Sequence, residues 1–333
     1  MRLFRRGPSG PDPEAIPAFW AWWAGARERT SAAIGRGDPG SMVDEISTAV
    51  HAIDPRLAWE LAPGAAAQHA LVVTPEGDPA VRSLALRWLE AAPSADTTWE
   101  YHASRQPSQL GRLSLRGVDV DLTEYRAIAS WDETRQRVDV RLWHPALGAA
   151  PDEVRHHLAF LFLDNLLGED DVERWVGTID VLAEPIQGRT PAELRSEVAR
   201  RAAEASGESW VLAERSDGAI IVANAAAKPI DHPYAATRLT VSFDRGIEHM
   251  AGTELKADIE AAEDRLVDAL AATETVQLGH VTERRRRTTY VMCRDPEATR
   301  AITAAWVRAE ARWGPKVDIR DDPGWTVRAE LGI

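Results

Sequence analysis

From Ala236 to the end of the chain, the apolar residues change period in an order that few folds accommodate. The stretch "ATRLTVSFD" alternates with period two and sets Leu239, Val241 and Phe243 on one face. "TELKADIEAAEDRLVDALAAT" switches to helical spacing behind a cap-like Thr253, and "ETVQLGHVTE" and "RTTYVMC" return to strands. "DPEATRAITAAWVRAEARW" is a second helix, with Asp295 as its cap and Pro296 in its first turn, stopped by Gly314 and Pro315. "KVDIRD" is the last strand. Strand, helix, strand, strand, helix, strand is the split βαβ order of ferredoxin-like folds. It predicts an antiparallel sheet with both helices on one face, the other face being left free for a partner, a ligand or a second domain.

Upstream, "SWVLAER" and "AIIVANA" flank "SDG", a hairpin signal. Residues 190–205 open with Thr190, Pro191 and Glu193, the spacing of a capping box, and read as a polar connector helix. The first half holds two opening helices, "AIPAFWAWWAGARERTSAAI" and "SMVDEISTAVHAI", then the strands "RLAWEL" and "HALVVT" and a helix over 79–91. The strands "TTWEYHAS", "YRAIASW" and "RVDVRLW", a helix over 151–168 and the strand "TIDVLAE" follow, a looser version of the C-terminal order. The expected fold is therefore α+β, with two tandem sandwich domains. The expected bounds are a disordered leader over 1–14, an N-terminal α+β domain over 15–189, the connector helix over 190–205 and a ferredoxin-like domain over 206–333.

The chain of 333 residues carries a net charge of −13, and the acidic excess runs through both halves. This excludes a dedicated DNA binder, which needs a basic face to release phosphate counterions. The single cysteine, Cys293, excludes an intrachain disulfide and a cysteine-based zinc site, so a reducing cytoplasm is expected. Arg5 and Arg6 precede the breaker Gly7 to Pro13 where a signal peptide needs its apolar core, and "AFWAWWAGA" is far short of the ~20 apolar residues of a membrane span. No membrane association is expected.

Chemistry is suggested most by the carboxylates Asp164, Glu169, Asp170, Asp171 and Glu173. A calcium loop counted from Asp164 puts Leu166, Gly168 and Trp175 where oxygen ligands belong, so the spacing fails. The alternative is a buried helix face of Leu158, Phe162, Asn165 and Leu166, stopped by Gly168, with Asp170 and Asp171 opening a short second helix. His156 and His157 diverge by about 100° on a helix and cannot both face one metal. Glu260, Glu263 and Asp264 share a helix face and read as solvated. Cys293 falls in a strand without a nearby base and reads as a small buried hydrophobe. No Ser/His/Asp arrangement, nucleophile elbow, phosphate loop or dinucleotide fingerprint appears. No catalytic, cofactor-binding or metal-ligating residue is assigned, and no cofactor.

Two clusters remain for association. Trp20, Trp22 and Trp23 crowd one helix, and because neighbours on a helix diverge by about 100° the three indoles cannot share a face. The run Arg284 to Arg287 lies between two strands, where alternation would split it between faces and charge would blunt a hairpin edge.

The C-terminal pattern also resembles the bacterial domain of unknown function 695 over the last 125 or so residues. The resemblance rests on "SWVLAE", "GTELKADIEAAEDRLVDAL", "VQLGHVTERRRRTTYVM" and "DDPGW". Its matching positions include Trp210, Glu254, Glu263, Asp264, Leu266, Gly279, Thr282, Arg286, Arg287, Tyr290, Asp322 and Trp325. It departs at Arg285, Thr289 and Met292. "FWAWW", "TTWEYHASRQP" and "LDNLLGEDDVERWVGTID" look like the N-terminal region that accompanies this domain. The family has no established activity, and its occasional fusion to a ribonuclease-regulator-like domain implies regulation. The reading is a non-enzymatic protein-interaction or regulatory module with a protein partner, using Arg286, Arg287, Tyr290, Trp20, Trp22 and Trp23. The alternatives are a hydrolase or metal-dependent enzyme with an acidic interdomain site, and an RNA-associated regulator.

Overall fold

The computed structural model describes residues 14–148, 150–243, 253–283 and 286–333. The chain is mixed helix and strand, 43% and 27%. Except for Glu14, the expected leader lies outside the described residues, as do Arg284, Arg285 and the side chains of Thr253 and Glu254. The chain divides into two compact units, Met1–Ser108 with Leu167–Asp170, and Gln109–Leu166 with Asp171–Ile333.

In the first unit, α1 (Ala15–Gly35) and α2 (Val43–His51) precede β1 (Ala58–Pro63), β2 (His69–Thr74), α3 (Pro79–Glu90) and β3 (Trp99–His102). Pro79 opens α3 and the Asp78 carboxylate caps it by accepting from the Ala80 N–H. The sheet order is β1-β2-β3, with β1–β2 antiparallel and β2–β3 parallel. Beneath it Phe19, Trp23, Leu71, Val73, Trp88 and Trp99 form one buried cluster.

The second unit begins with the hairpin β4 (Arg112–Leu115) and β5 (Val118–Asp121), which the apolar pattern does not predict. Its turn uses Arg116 at φ 50° and Gly117 at φ 80°, and arginine is an unusual residue for a left-handed position. Next come β6 (Arg126–Asp132), β7 (Arg137–Trp143), α4 (Asp152–Leu167), α5 (Glu169–Trp175), β8 (Val176–Val181) and α6 (Pro191–Glu204). Strands β6, β7 and β8 make a three-stranded sheet with β7–β8 parallel. The expected looser copy of the C-terminal order is thus divided between two sheets, each containing a parallel pair. The capping box of α6 is present, with the Glu193 carboxylate accepting from the Thr190 N–H at 2.8 Å. This helix buries Leu194 and Val198 rather than acting only as a connector.

The remaining elements are β9 (Trp210–Glu214), β10 (Ile220–Asn224), β11 (Thr237–Phe243), α7 (Thr253–Leu270), β12 (Thr275–Thr282), β13 (Arg287–Cys293), α8 (Pro296–Ala309), β14 (Lys316–Asp321) and α9 (Val327–Leu331). The sheet order is β14-β11-β13-β12-β10-β9, antiparallel at every step. Its strand alternation feeds two cores. Leu239, Val241, Phe243, Val291 and Cys293 pack with Ile259, Ala262 and Leu266 of α7 and Trp306 of α8. Met292, Leu278 and Val281 point the other way, against Trp325, Val327 and Leu331. The expectation of helices on one face only is therefore corrected. The chain after β14 folds back and covers apolar residues of the second face, because that face carries its own apolar stripe to bury.

The boundary expected near residue 206 falls inside the second unit. The Gln136 amide, at the β6–β7 turn, donates to Ser206 Oγ and to the Glu208 carbonyl, each at 2.8 Å, and accepts from the Gly207 N–H at 3.0 Å. These bonds tie the segment after α6 to the preceding sheet.

Candidate interaction site

Two helices of the first unit repeat one spacing. Ala15, Ala18, Phe19 and Trp22 fall at i, i+3, i+4 and i+7 on α1, and Glu45, Thr48, Ala49 and Ala52 at the same intervals along α2 and its C-cap. Such residues share a helix face, and here they line a groove of about 640 Å³. Alanine and threonine keep the α2 wall low, Phe19 forms a buried floor, and half-buried Trp22 leans on it with ring centroids 5.5 Å apart. At the rim stand Glu14, Asp44 and Glu45. Asp44 and Glu45 sit in the first turn of α2, where carboxylates oppose the helix dipole favourably. Glu45 also meets Arg29 at 2.6 Å, with both side chains about half exposed (48% and 55%), so water screens the pair and its contribution is small. The groove is apolar inside and acidic at its edge.

No family model, curated protein or solved structure matches this chain.

The three tryptophans separate as helical geometry requires, and only Trp22 lines the groove. Trp23 is buried and donates its indole N–H to the Tyr101 hydroxyl at 3.1 Å. Half-buried Trp20 stacks on Trp88 at 4.7 Å and donates to the Trp88 carbonyl at 2.9 Å. Trp20 and Trp23 are thus corrected from contact residues to packing residues. The repeat of small residues on α2 is the signal that sequence reading passed over, because alanines look bland until they face an aromatic floor.

The hairpin candidates also separate. Arg286 is exposed. Arg287 is buried, and its guanidinium donates to both carboxylate oxygens of Glu263, with contacts at 3.0, 3.0 and 2.7 Å. The Thr289 hydroxyl donates to the same carboxylate. Arg287 therefore does not belong to a solvated edge, and Glu263 does not belong to a solvated helix face. Strand alternation turns residues 287 and 289 toward α7, where the carboxylate waits. Tyr290 lies on the other face, packed against the Trp325 cluster with the Arg238 guanidinium 5.7 Å from its ring centre, and burial pushes its phenol pKa up. Asp322 accepts from Thr326 N–H at 2.7 Å and Val327 N–H at 3.1 Å, while the Trp325 indole donates to the Ala235 carbonyl at 2.8 Å. Several positions that carry the family resemblance thus hold the second unit together.

Around α5 the acidic residues are committed to the backbone and to arginine. Gly168, at φ 87°, ends α4, and α5 begins directly with the carboxylates. Glu169 is buried and accepts from the Thr74 hydroxyl, from Gly77 N–H at 3.2 Å and from Arg105 N–H at 3.1 Å. Asp170 meets buried Arg82 at 2.8 Å. His156 and His157 are exposed. Among the described residues no group of three or more His, Cys, Asp or Glu side chains is placed to hold a metal ion. Cys293 is buried in β13, and desolvation pushes its thiol up to about 11. With so little thiolate at neutral pH and no solvent access, iodoacetamide will label Cys293 only after denaturation. Full modification of the native protein within minutes would contradict that placement.

No helix among the described residues is long and apolar enough to cross a membrane.

Proposed function

We propose that the protein is a non-enzymatic interaction module whose α1–α2 groove receives a short segment of a protein partner, apolar on one face and rich in lysine or arginine. The observation that carries this reading is the combination in one groove of an aromatic floor, low alanine walls and three rim carboxylates. Apolar anchors of the partner would pack against Phe19 and Trp22, and its cations would set orientation and on-rate against Glu14, Asp44 and Glu45. The strand order of the C-terminal sheet supports naming the segment from β11 to β14 a ferredoxin-like unit, extended by β10 and β9. Membership in the domain of unknown function 695 family and residence in a reducing cytoplasm belong to the same proposal.

The test is a fluorescence titration with a synthetic amphipathic peptide of leucine and lysine, set against one of leucine and glutamate. The basic peptide should bind more tightly, and added salt should weaken it. Trp22→Ala should cost about 2 kcal/mol, roughly thirtyfold in Kd. Ala18→Arg, at an exposed position on the groove wall, should block binding while leaving the melting temperature within a degree or two. Equal affinity for both peptides, or wild-type affinity in Ala18→Arg, would sink the reading.

A further inference from the structure

The C-terminal sheet of the second unit has two edges, and they are built differently. At one edge β14 exposes Lys316, Asp318, Arg320 and Asp321, with Asp318 and Arg320 paired at 3.2 Å. Charge of this kind blocks the approach of another strand. At the other edge stands β9, "WVLAE", where Trp210 is 46% exposed and Leu212 72%. Its charge is confined to Glu214, at the end of the strand. Among the described residues no strand pairs with the outer side of β9.

The ladder fixes what that outer side offers. At the two ends of the β9–β10 pair, the Arg215 N–H donates to the Ala219 carbonyl at 2.8 Å and the Ala225 N–H to the Ser209 carbonyl at 2.9 Å. Bonded and non-bonded positions alternate along an antiparallel pair, so Val211 and Ala213 also turn their main chain toward β10. Trp210, Leu212 and Glu214 therefore aim their N–H and carbonyl groups outward. Their side chains share one face of the sheet, since Val211, between them, packs on the other face against the Trp325 cluster. An occupant of this edge is thus an extended chain that offers donors and acceptors at every second residue and covers Trp210 and Leu212.

We propose that β9 pairs antiparallel with β9 of a second copy of this chain, about a twofold axis at Leu212, joining two six-stranded sheets into one. The strand is complementary to itself in that register. Leu212 meets the same residue of the second copy and Trp210 meets Glu214, so the outward N–H and carbonyl groups of all three residues find partners. The leucines pack across the axis, and each carboxylate lies beside an indole rather than opposite the other carboxylate. Charge on β14 keeps the joined sheet from extending further, so association closes at two copies. The surface is separate from the α1–α2 groove, and its failure would leave the groove reading untouched.

The experiment is sedimentation equilibrium on the full chain from about 1 to 300 μM, a range in which a small edge-strand contact should populate a dimer. Hydrogen exchange at the two ends of that range gives a second readout. The Trp210, Leu212 and Glu214 amides should slow about fivefold at the higher concentration, whereas Val211 and Ala213, already bonded to β10, should not change. Leu212→Lys alters a side chain that is mostly exposed, so it should keep the wild-type circular dichroism spectrum and stay monomeric. Leu212→Pro removes an outward N–H and leaves the β10 ladder intact, so it should do the same. The proposal is overturned if the wild type stays monomeric throughout, which would leave the edge to a strand of another protein. Species larger than a dimer, or a Leu212→Lys variant that dimerises as the wild type does, would overturn it equally.

Discussion

Glu263→Ala will destabilise the second unit by about 3–5 kcal/mol, measured by urea unfolding followed by circular dichroism. The carboxylate is buried and receives two nitrogens of Arg287 and the Thr289 hydroxyl. Its removal strands a guanidinium that is itself buried, with His280 Nδ1 at 3.4 Å and Glu260 at 4.0 Å as the remaining polar groups near it. The cost is the desolvation of a guanidinium left with Glu260, at 4.0 Å, as a distant charge partner, rather than the loss of one attraction. The double variant Glu263→Met with Arg287→Met should therefore recover most of the loss, since two apolar side chains of similar length leave no charge behind. A single-variant effect below 1 kcal/mol would show that water reaches the pair. Because the groove belongs to the first unit, peptide binding should persist in the folded double variant.

Gly279→Ala should be nearly as damaging, at about 2–4 kcal/mol. Gly279 has φ 145°, and a Cβ there would fall 2.2 Å from the Val222 carbonyl oxygen and 2.7 Å from the Ala223 Cα. Both obstacles are backbone of the adjacent strand β10, so no side-chain rotation relieves them. The register between β12 and β13 shifts at Gln277/Gly279, which marks a bulge that only glycine accommodates at this spacing. Hydrogen exchange should accelerate along the β10–β12 ladder. Gly218→Ala provides the contrast: its φ is 81°, but nothing lies within 4 Å of the added carbon, so about 1 kcal/mol is expected. Equal effects at the two glycines would mean that dihedral strain alone, and not the close approach of β10, decides the outcome.

These contrasts separate what was legible in the chain from what was not. The caps were legible. Thr190 with Glu193, and Asp295 with the Glu297 and Ala298 N–H groups, each close a hydrogen bond within three residues, whereas the Asp78 cap of α3 was not read. The order of strands and helices from β11 to β14 was legible too, because a period of two or 3.6 is a property of neighbouring residues, whereas α9 was not read. The surface groove was not read: the sequence showed only that Trp20, Trp22 and Trp23 cannot share one face of α1, and the facing residues of α2 were too small to attract notice. The Arg287 pairing was hidden, since its partner is 24 residues away on another element. So was the ammonium of Lys228, whose one acceptor is 92 residues upstream.

The sequence by itself determined the α+β class, the helix ends and the alternation that forces residues 287 and 290 to opposite faces of a strand. Backbone geometry acts over a few residues, and local pattern records it. Only the tertiary structure decided which face was buried, which tryptophan met the groove and which cations lost their solvent. Burial depends on what packs from a distance, and a charge changes from surface ornament to structural centre when a distant element removes its water.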